Sequence, residues 1–279
     1  MSQSMLQVIP PFMISHRKVS AFVAFHSPNA LRATSKFFLV ALAFACFCLG
    51  SGHSQEKQVD ERPASPFMVE NDLAKYGADA SKWEKDVDKI SQTNASDGGD
   101  DVVLCLGSSS FRLWDTIADD MRPYKVVRRA YGGAKYCDLA IHAPKLVEGL
   151  RFRAAMIFIG NDITGKEKDK TPEEIVRLAK IVMATVRKQR PDAPIFLIAV
   201  TPSPSRFTQW PKIKVANESL EKLATSQANT FFVTTQSKYL NERGEPIPEL
   251  FVKDMLHQNK DGYAIWASIL KDALGKHLK

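Results

Sequence analysis

Residues 102–111 read Val-Val-Leu-Cys-Leu-Gly-Ser-Ser-Ser-Phe, and this stretch decides how the chain folds. Five apolar residues end abruptly at Gly107, three serines follow, and a helix-compatible stretch comes next. A short apolar run of this kind is typical of a strand that is buried on both faces of a parallel sheet. Ligands and catalytic groups collect at the carboxyl edge of such sheets. The segment therefore predicts an α/β protein that presents a serine at that edge.

Apolar runs alternate with amphipathic stretches along the rest of the chain. Strands are predicted at Val102–Leu106, Lys125–Arg129, Ala155–Ile159, Ile195–Val200 and Thr230–Thr234. The order of strand and helix signals predicts helices packed on both faces of a parallel sheet, which is a three-layer fold.

Two helices have clear limits in the sequence. One begins at Thr171-Pro172-Glu173-Glu174, which offers a cap residue, a proline in the first turn and acidic side chains near the helix N-terminus. The other runs from Asp261 to about His277 with one broad apolar face. By contrast, the Gly/Asp-rich residues 94–101 predict a break before the first strand.

The first 54 residues differ in composition from the rest. They contain four basic residues and no acidic one, and residues 37–49 form an apolar core of 13 residues followed by Gly50, Ser51 and Gly52. This pattern predicts a secretory signal peptide, since the apolar core is short for a permanent membrane span. An uncleaved N-terminal anchor stays open as the alternative. We accordingly expect a secreted, periplasmic or otherwise extracytoplasmic protein, anchored to the membrane if the segment is kept.

The charge and the cysteines exclude two other classes. Without those four cations the formal net charge of +7 falls to +3, and the remaining residues show no Lys/Arg stripe of the kind that binds nucleic acid. Only Cys105 and Cys137 lie beyond residues 37–49, the apolar core of the predicted signal peptide, and no Cys/His spacing is suited to zinc. They are expected to act as small apolar residues, with a disulfide between them as the alternative.

Ser109 and His257 are the candidates for nucleophilic chemistry. A serine needs a base to accept its proton, and a helix N-terminus supplies N–H groups to a developing oxyanion. His257 has Asp254 three residues before it, close enough to hold the tautomer of the imidazole. The alternative for Ser109 is a helix-capping serine in an ordinary turn. Taken together, the three residue types suggest an acyl-transfer hydrolase.

Two further loops follow predicted strands. Residues 129–134 contain Gly132 and Gly133, which let the backbone approach a ligand closely, and Asn161 follows the third strand. A side-chain amide and a backbone N–H that converge near a strand-end serine would form an oxyanion hole. The alternative for each loop is an ordinary turn, since glycines at strand ends also make plain turns.

With these four features in order, the chain resembles the SGNH hydrolases, the GDSL-type lipase/esterase superfamily, in a sub-type with Gly-Ser-Ser-Ser in the first block. The blocks match residues 107–109, 133, 161 and 254–257, and the resemblance covers roughly residues 100–275. It implies a flavodoxin-like sheet of five parallel strands in the order 2-1-3-4-5. Ser108 replaces the usual aspartate of the first block, and Ile159 stands where the third block usually has glycine.

The resemblance also implies roles for individual residues. Ser109 is the nucleophile, His257 the base and Asp254 its orienting acid, while the N–H of Ser109, the N–H of Gly133 and the side chain of Asn161 form the oxyanion hole. No metal or organic cofactor is required. The chain then divides into a signal peptide or anchor (1–54), a linker with an N-terminal helical extension (55–100) and the hydrolase domain (101–279).

The substrate is predicted less directly. Arg206 lies in a proline-rich loop after the fourth strand and could bind an anionic or sugar group, or simply be solvated. Trp114 and Tyr131 could line a substrate pocket or belong to the core. We expect a small-molecule or glycan ester with a short acyl group such as acetyl, and neither a nucleic acid nor a stable membrane partner beyond a possible N-terminal anchor. A non-catalytic glycan-binding protein and an acyltransferase on the same fold are the alternatives.

Overall fold

The computed structural model describes residues 72–278, so the predicted signal segment lies outside the described residues. Five strands form one fully parallel sheet in the order β2-β1-β3-β4-β5. The strands are β1 Val102–Gly107, β2 Lys125–Ala130, β3 Ala154–Phe158, β4 Ile195–Ile198 and β5 Thr230–Val233. All five predicted strands are present within two residues of the predicted ends, and the predicted fold class is confirmed.

The α-helices cover both faces of this sheet. They are α1 Gly77–Ala80, α2 Glu84–Ser91, α3 Asn94–Asp97, α4 Ser109–Arg112, α5 Ile117–Asp120, α6 Tyr136–Val147, α7 Pro172–Gln189, α8 Trp210–Ser226 and α9 Lys260–His277. Short 3-10 helices occupy Ser81–Trp83, Pro204–Gln209, Gln236–Lys238 and Pro248–Leu250.

Alternate residues of each strand enter two separate apolar clusters. Leu104 and Leu106 of β1 pack with residues of α6, α7 and α8, whereas Val103 and Cys105 pack with residues of α4, α5 and α9. Every residue of β1 is buried. The strand reads as one continuous apolar run because both of its faces are covered, and this is the physical basis of the prediction made from residues 102–106.

Side-chain caps fix the start of two long helices. The hydroxyl of Thr171 accepts a hydrogen bond from the N–H of Glu174, with Pro172 in the first turn of α7. The side chain of Asn259 likewise accepts from the N–H groups of Asp261 and Gly262 at the start of α9. Both helices begin within one residue of their predicted starts, because a helix N-terminus carries its signal in the local sequence.

Residues 77–97 pack against the same core as the sheet. Val87 is fully buried there, and the ring Nε2 of His142 donates to the carbonyl of Ala80 at 2.9 Å. The predicted break at residues 94–101 was wrong in part, since α3 occupies its first half. The side chain of Asn94 donates to the carbonyls of Lys145 and Glu148, contacts with distant residues that the local composition does not reveal.

Two smaller points bear on the sequence predictions. Cys105 and Cys137 are both buried free thiols, which contradicts the disulfide alternative. Among residues 72–278, no helix has the length and apolar character required to cross a lipid bilayer.

Candidate active site

Ser109 lies where β1 passes into α4, at the carboxyl edge of the sheet. Gly107 adopts φ +151°, and a Cβ on it would lie only 2.0 Å from the carbonyl oxygen of Phe158 on the neighbouring strand. Only glycine allows the chain to turn so close to β3. As the first residue of α4, Ser109 has a backbone N–H for which the helix itself provides no acceptor.

His257 and Asp254 reach Ser109 from the loop before α9. The ring Nε2 of His257 lies 2.8 Å from the hydroxyl oxygen of Ser109, and its Nδ1 lies 2.6 Å from Oδ2 of Asp254. Oδ1 of Asp254 accepts hydrogen bonds from the N–H groups of Leu256 (2.9 Å) and His257 (3.0 Å). With the ring proton on Nδ1, Nε2 is free to accept the proton of the Ser109 hydroxyl.

The environment of Asp254 favours its ionised form. Partial burial acts to raise the pKa of this carboxyl, but the hydrogen bonds from His257 and Leu256 outweigh it, and the net pKa lies below the usual value. Asp254 is therefore a carboxylate at neutral pH. A carboxylate in this place can orient the imidazole and stabilise the imidazolium that forms when His257 takes up a proton.

Asn161 follows β3 at the same edge of the sheet. Its Nδ2 donates to the carbonyl of Ala134 at 3.1 Å, and its Oδ1 accepts from Nη2 of Arg206 at 2.9 Å. The first of these bonds links Asn161 to the loop that contains Gly133. Gly133 adopts φ +71°, and a Cβ there would lie 3.2 Å from the indole of Trp83, so this position also suits glycine.

These groups surround a cavity at the carboxyl edge of the sheet. Its walls include Ser109, Asn161, Thr201, Ser203, Arg206 and His257. Ser109 follows β1, Asn161 follows β3, and His257 lies in the loop before α9. The three residues meet at the carboxyl edge of the sheet. A serine activated by a histidine, beside a side-chain amide donor, is an arrangement that can carry out acyl transfer.

Comparison with known proteins identifies the family. The model of the GDSL-like Lipase/Acylhydrolase family matches residues 91–265. The chain belongs to this family. It is therefore an ester-hydrolysing serine hydrolase of the SGNH superfamily, as the sequence resemblance predicted. No curated protein matches the chain.

Solved structures with this fold come from several sources. A protein from Streptococcus pneumonia, provisionally described as a platelet activating factor, has a TM-score of 0.62 at 21% identity and covers 75% of this chain and 100% of its own. A GDSL-like lipase from Bacteroides thetaiotaomicron has a TM-score of 0.58 at 18% identity, covering 72% and 99%. The acetyl xylan esterase AlAXEase has a TM-score of 0.52 at 18% identity, covering 62% and 99%.

The structure of this GDSL-like hydrolase brings most of the predicted site residues together. Ser109, His257, Asn161 and Arg206 line the same cavity, and Asp254 supports His257 from its rim, with 47% of its side chain exposed. Gly133 is joined to them through the neighbouring Ala134, whose carbonyl binds Asn161.

The predicted substrate contacts of Trp114 and Tyr131 were wrong. Both side chains are fully buried. Trp114 stacks on Tyr263 with 5.0 Å between the ring centroids and donates its indole N–H to Asp120, and Tyr131 packs against Trp83. Aromatic residues near strand ends have large apolar surfaces that favour burial. Here Tyr263 of α9 covers Trp114, and Trp83 of the N-terminal extension packs against Tyr131.

Sequence reasoning missed three features of the site. Thr201 and Ser203 line the cavity, Trp83 packs over Gly133, and Arg206 is bonded to Asn161. The position of Thr201 and Ser203 directly after β4 was a usable signal, because that strand ends at the same edge of the sheet. The pairing of Arg206 with Asn161 had no signal in the sequence. Within residues 72–278, no cluster of His, Cys, Asp and Glu side chains is arranged to hold a metal ion.

Proposed function

We propose that this protein is a secreted serine esterase that removes short acyl groups, such as acetyl, from carbohydrate, with Ser109, His257 and Asp254 as its catalytic triad. One observation carries the proposal: a continuous chain of hydrogen bonds runs from the Ser109 hydroxyl through His257 to the Asp254 carboxylate, with separations of 2.8 and 2.6 Å. These distances fall within the range required for proton transfer from a nucleophile to its base.

The reaction proceeds in two stages on this proposal. Nε2 of His257 accepts the proton of Ser109 as the hydroxyl oxygen attacks the ester carbonyl, and a tetrahedral oxyanion forms. Collapse of this species expels the alcohol, which takes the proton from His257, and leaves an acyl group on Ser109. Water, deprotonated by His257, then attacks the acyl group, and the acid is released as the bond to Ser109 breaks and His257 returns the proton to the serine oxygen.

The oxyanion is stabilised by three donors on this proposal: the backbone N–H of Ser109, the backbone N–H of Gly133 and Nδ2 of Asn161. Nδ2 carries two protons, of which one is donated to Ala134, so the second is free for a substrate oxygen. Loss of a single donor of this kind lowers kcat by about 10²–10³-fold. We therefore expect Asn161→Ala to retain weak activity.

The preference for a short acyl group on a polar substrate rests on the cavity. Only Phe158, Val200, Ile213 and Leu256 contribute apolar side chains among its thirteen lining residues, and Ser109, Ser203 and His257 are among the polar ones. The acetyl xylan esterase with the same fold provides a precedent for acetyl transfer from carbohydrate on this architecture.

The test compares esters of increasing acyl length. We expect the protein to hydrolyse p-nitrophenyl acetate faster than the butyrate, and the butyrate faster than the octanoate. Ser109→Ala should abolish turnover, whereas Ser219→Ala, which removes a hydroxyl on the surface of α8, should leave it unchanged. Full activity in Ser109→Ala would refute the triad, and a preference for octanoate would refute the short-chain substrate.

Two further measurements separate the alternatives. A fluorophosphonate probe labels only an activated serine, so failure to label the wild-type protein would favour a glycan-binding protein. Product analysis in the presence of an acceptor sugar distinguishes hydrolysis from acyl transfer. Secretion is tested by the mass of the protein recovered outside the cytoplasm, which we expect to lack the apolar residues 37–49.

A further inference from the structure

Arg206 is bonded to the loop that carries Asn161. Its Nη1 donates to the carbonyl of Gly160 at 2.5 Å, and its Nη2 donates to Oδ1 of Asn161 at 2.9 Å. The two acceptors belong to consecutive residues, and the planar guanidinium spans both. Because the donors of a guanidinium are fixed in one plane, this pair of bonds defines where the Asn161 side chain lies.

The bond to Arg206 also selects the orientation of the Asn161 amide. With Oδ1 held by a cation, Nδ2 must point in the opposite sense, towards the carbonyl of Ala134 and the cavity. A flipped amide would place its NH₂ against the guanidinium and its oxygen against the Ala134 carbonyl, losing both bonds. The oxygen would then face the cavity, where it would repel a developing oxyanion.

Arg206 is itself held in place by its own segment. It lies in the 3-10 helix Pro204–Gln209, and the N–H of the preceding Ser205 donates to the carbonyl of Met255 at 3.0 Å. Met255 lies between Asp254 and His257 in the chain. The segment therefore connects the loop of the histidine and aspartate to the loop of the amide donor.

We propose that Arg206 is a positioning residue of the oxyanion hole, which acts through Asn161 and not by binding the substrate. This inference rests on the proposed function, since it assigns Asn161 the role of an oxyanion donor. It differs from both expectations from the sequence, in which Arg206 either binds an anionic or sugar group or is solvated. The positive charge next to Oδ1 also polarises the amide and strengthens Nδ2 as a donor.

The test is a double-mutant cycle with Arg206→Met and Asn161→Ala. Methionine keeps much of the length of the side chain but cannot donate. We expect Arg206→Met to lower kcat by about 10–100-fold and to leave KM within about twofold. The reason is that the hydrogen bond from Asn161 to the oxyanion, which Arg206→Met weakens, forms only in the transition state. In the Asn161→Ala background, Arg206→Met should lower kcat by less than about threefold, because its effect is already lost.

Two additional variants complete the design. Arg206→Lys retains the charge but not the two-pronged geometry, and we expect a kcat between those of the wild type and Arg206→Met. Arg206→Ala should regain activity on addition of guanidinium, and Arg206→Ala combined with Asn161→Ala should not. Arg243→Met, which removes an exposed arginine paired with Glu245, is the matched control and should behave as the wild type.

The outcomes distinguish this inference from the proposed function. Equal losses from Arg206→Met with and without Asn161, or a raised KM at unchanged kcat, would overturn the positioning role in favour of substrate contact. Should Arg206→Met fail to fold, the Arg206→Lys cycle with Asn161→Ala decides by the same criterion. If Ser109→Ala were active, or Asn161→Ala had full activity, the proposed site would fail, whatever the result at Arg206.

Discussion

Asp254→Asn tests the catalytic assignment most directly, because the structure dictates how the new amide must lie. Oδ1 of Asp254 accepts two backbone hydrogen bonds, from Leu256 and His257, and Oδ2 faces Nδ1 of the imidazole. The carbonyl oxygen of an asparagine must take the Oδ1 position, since an NH₂ there would oppose two N–H donors. Leaving such donors unpaired costs about 1–3 kcal/mol each. The NH₂ of the amide then points at Nδ1.

This orientation imposes the wrong tautomer on His257. An NH₂ that donates to Nδ1 requires Nδ1 to carry no proton, so the ring proton moves to Nε2 and faces Ser109. Nε2 can then no longer accept the serine proton. The same change in a serine-protease triad lowers kcat by about 10⁴-fold. Asp254 has 47% of its side chain exposed, so water can compete for the imidazole, and we expect a loss of about 10³–10⁴-fold, or about 4–5 kcal/mol of transition-state stabilisation.

The assay is hydrolysis of p-nitrophenyl acetate, with the melting temperature measured alongside. Asp272→Asn provides the matched control, since it removes a carboxylate of equal charge from an exposed pair with Lys276, and its kcat should equal that of the wild type. The rate of fluorophosphonate labelling should fall in parallel with kcat for Asp254→Asn. A folded Asp254→Asn protein with a kcat within about tenfold of the wild type would refute the role of Asp254.

Three further predictions concern stability. Gly107→Ala should lower the free energy of unfolding, measured by urea titration, by about 3 kcal/mol or more, because the new Cβ would lie 2.0 Å from the Phe158 carbonyl oxygen. Gly149→Ala is the control: Gly149 also has a positive φ, but nothing lies within 4 Å of the new Cβ, so the free energy of unfolding should fall clearly less. Burial raises the pKa of Asp162 from 3.8 to about 7, so the folded state keeps a proton that the unfolded chain has lost, and stability falls as the pH rises between these values. Asp162→Asn removes that loss, so its stability relative to the wild type should increase from pH 4 to pH 8 by up to about 4 kcal/mol; a constant difference would contradict the assignment. Thr171→Ala removes the cap of α7 and should cost about 1 kcal/mol, seen as a lower melting temperature.

The sequence by itself determined the sheet and the edge at which the site lies. Short runs rich in apolar residues predicted the strands, and the helix starts at Thr171 and near Asp261 followed from caps that involve only neighbouring residues. The position of Ser109 followed in the same way, because a strand that ends in glycine and serine must release the serine at the carboxyl edge. All of these features are encoded in patterns of a few neighbouring residues, even though the sheet itself is held by pairing between distant strands.

The tertiary structure alone decided which candidate groups meet. Ser109 and His257 are 148 residues apart, and their 2.8 Å contact depends on how α9 and its preceding loop pack against the sheet. Similarly, only the covering helices show that Trp114 belongs to the core, and only the return of the chain after β4 brings Arg206 to Asn161. An arginine in a loop reads the same whether it binds solvent, substrate or an amide oxygen, since its partner is set by distant segments whose positions no local pattern encodes.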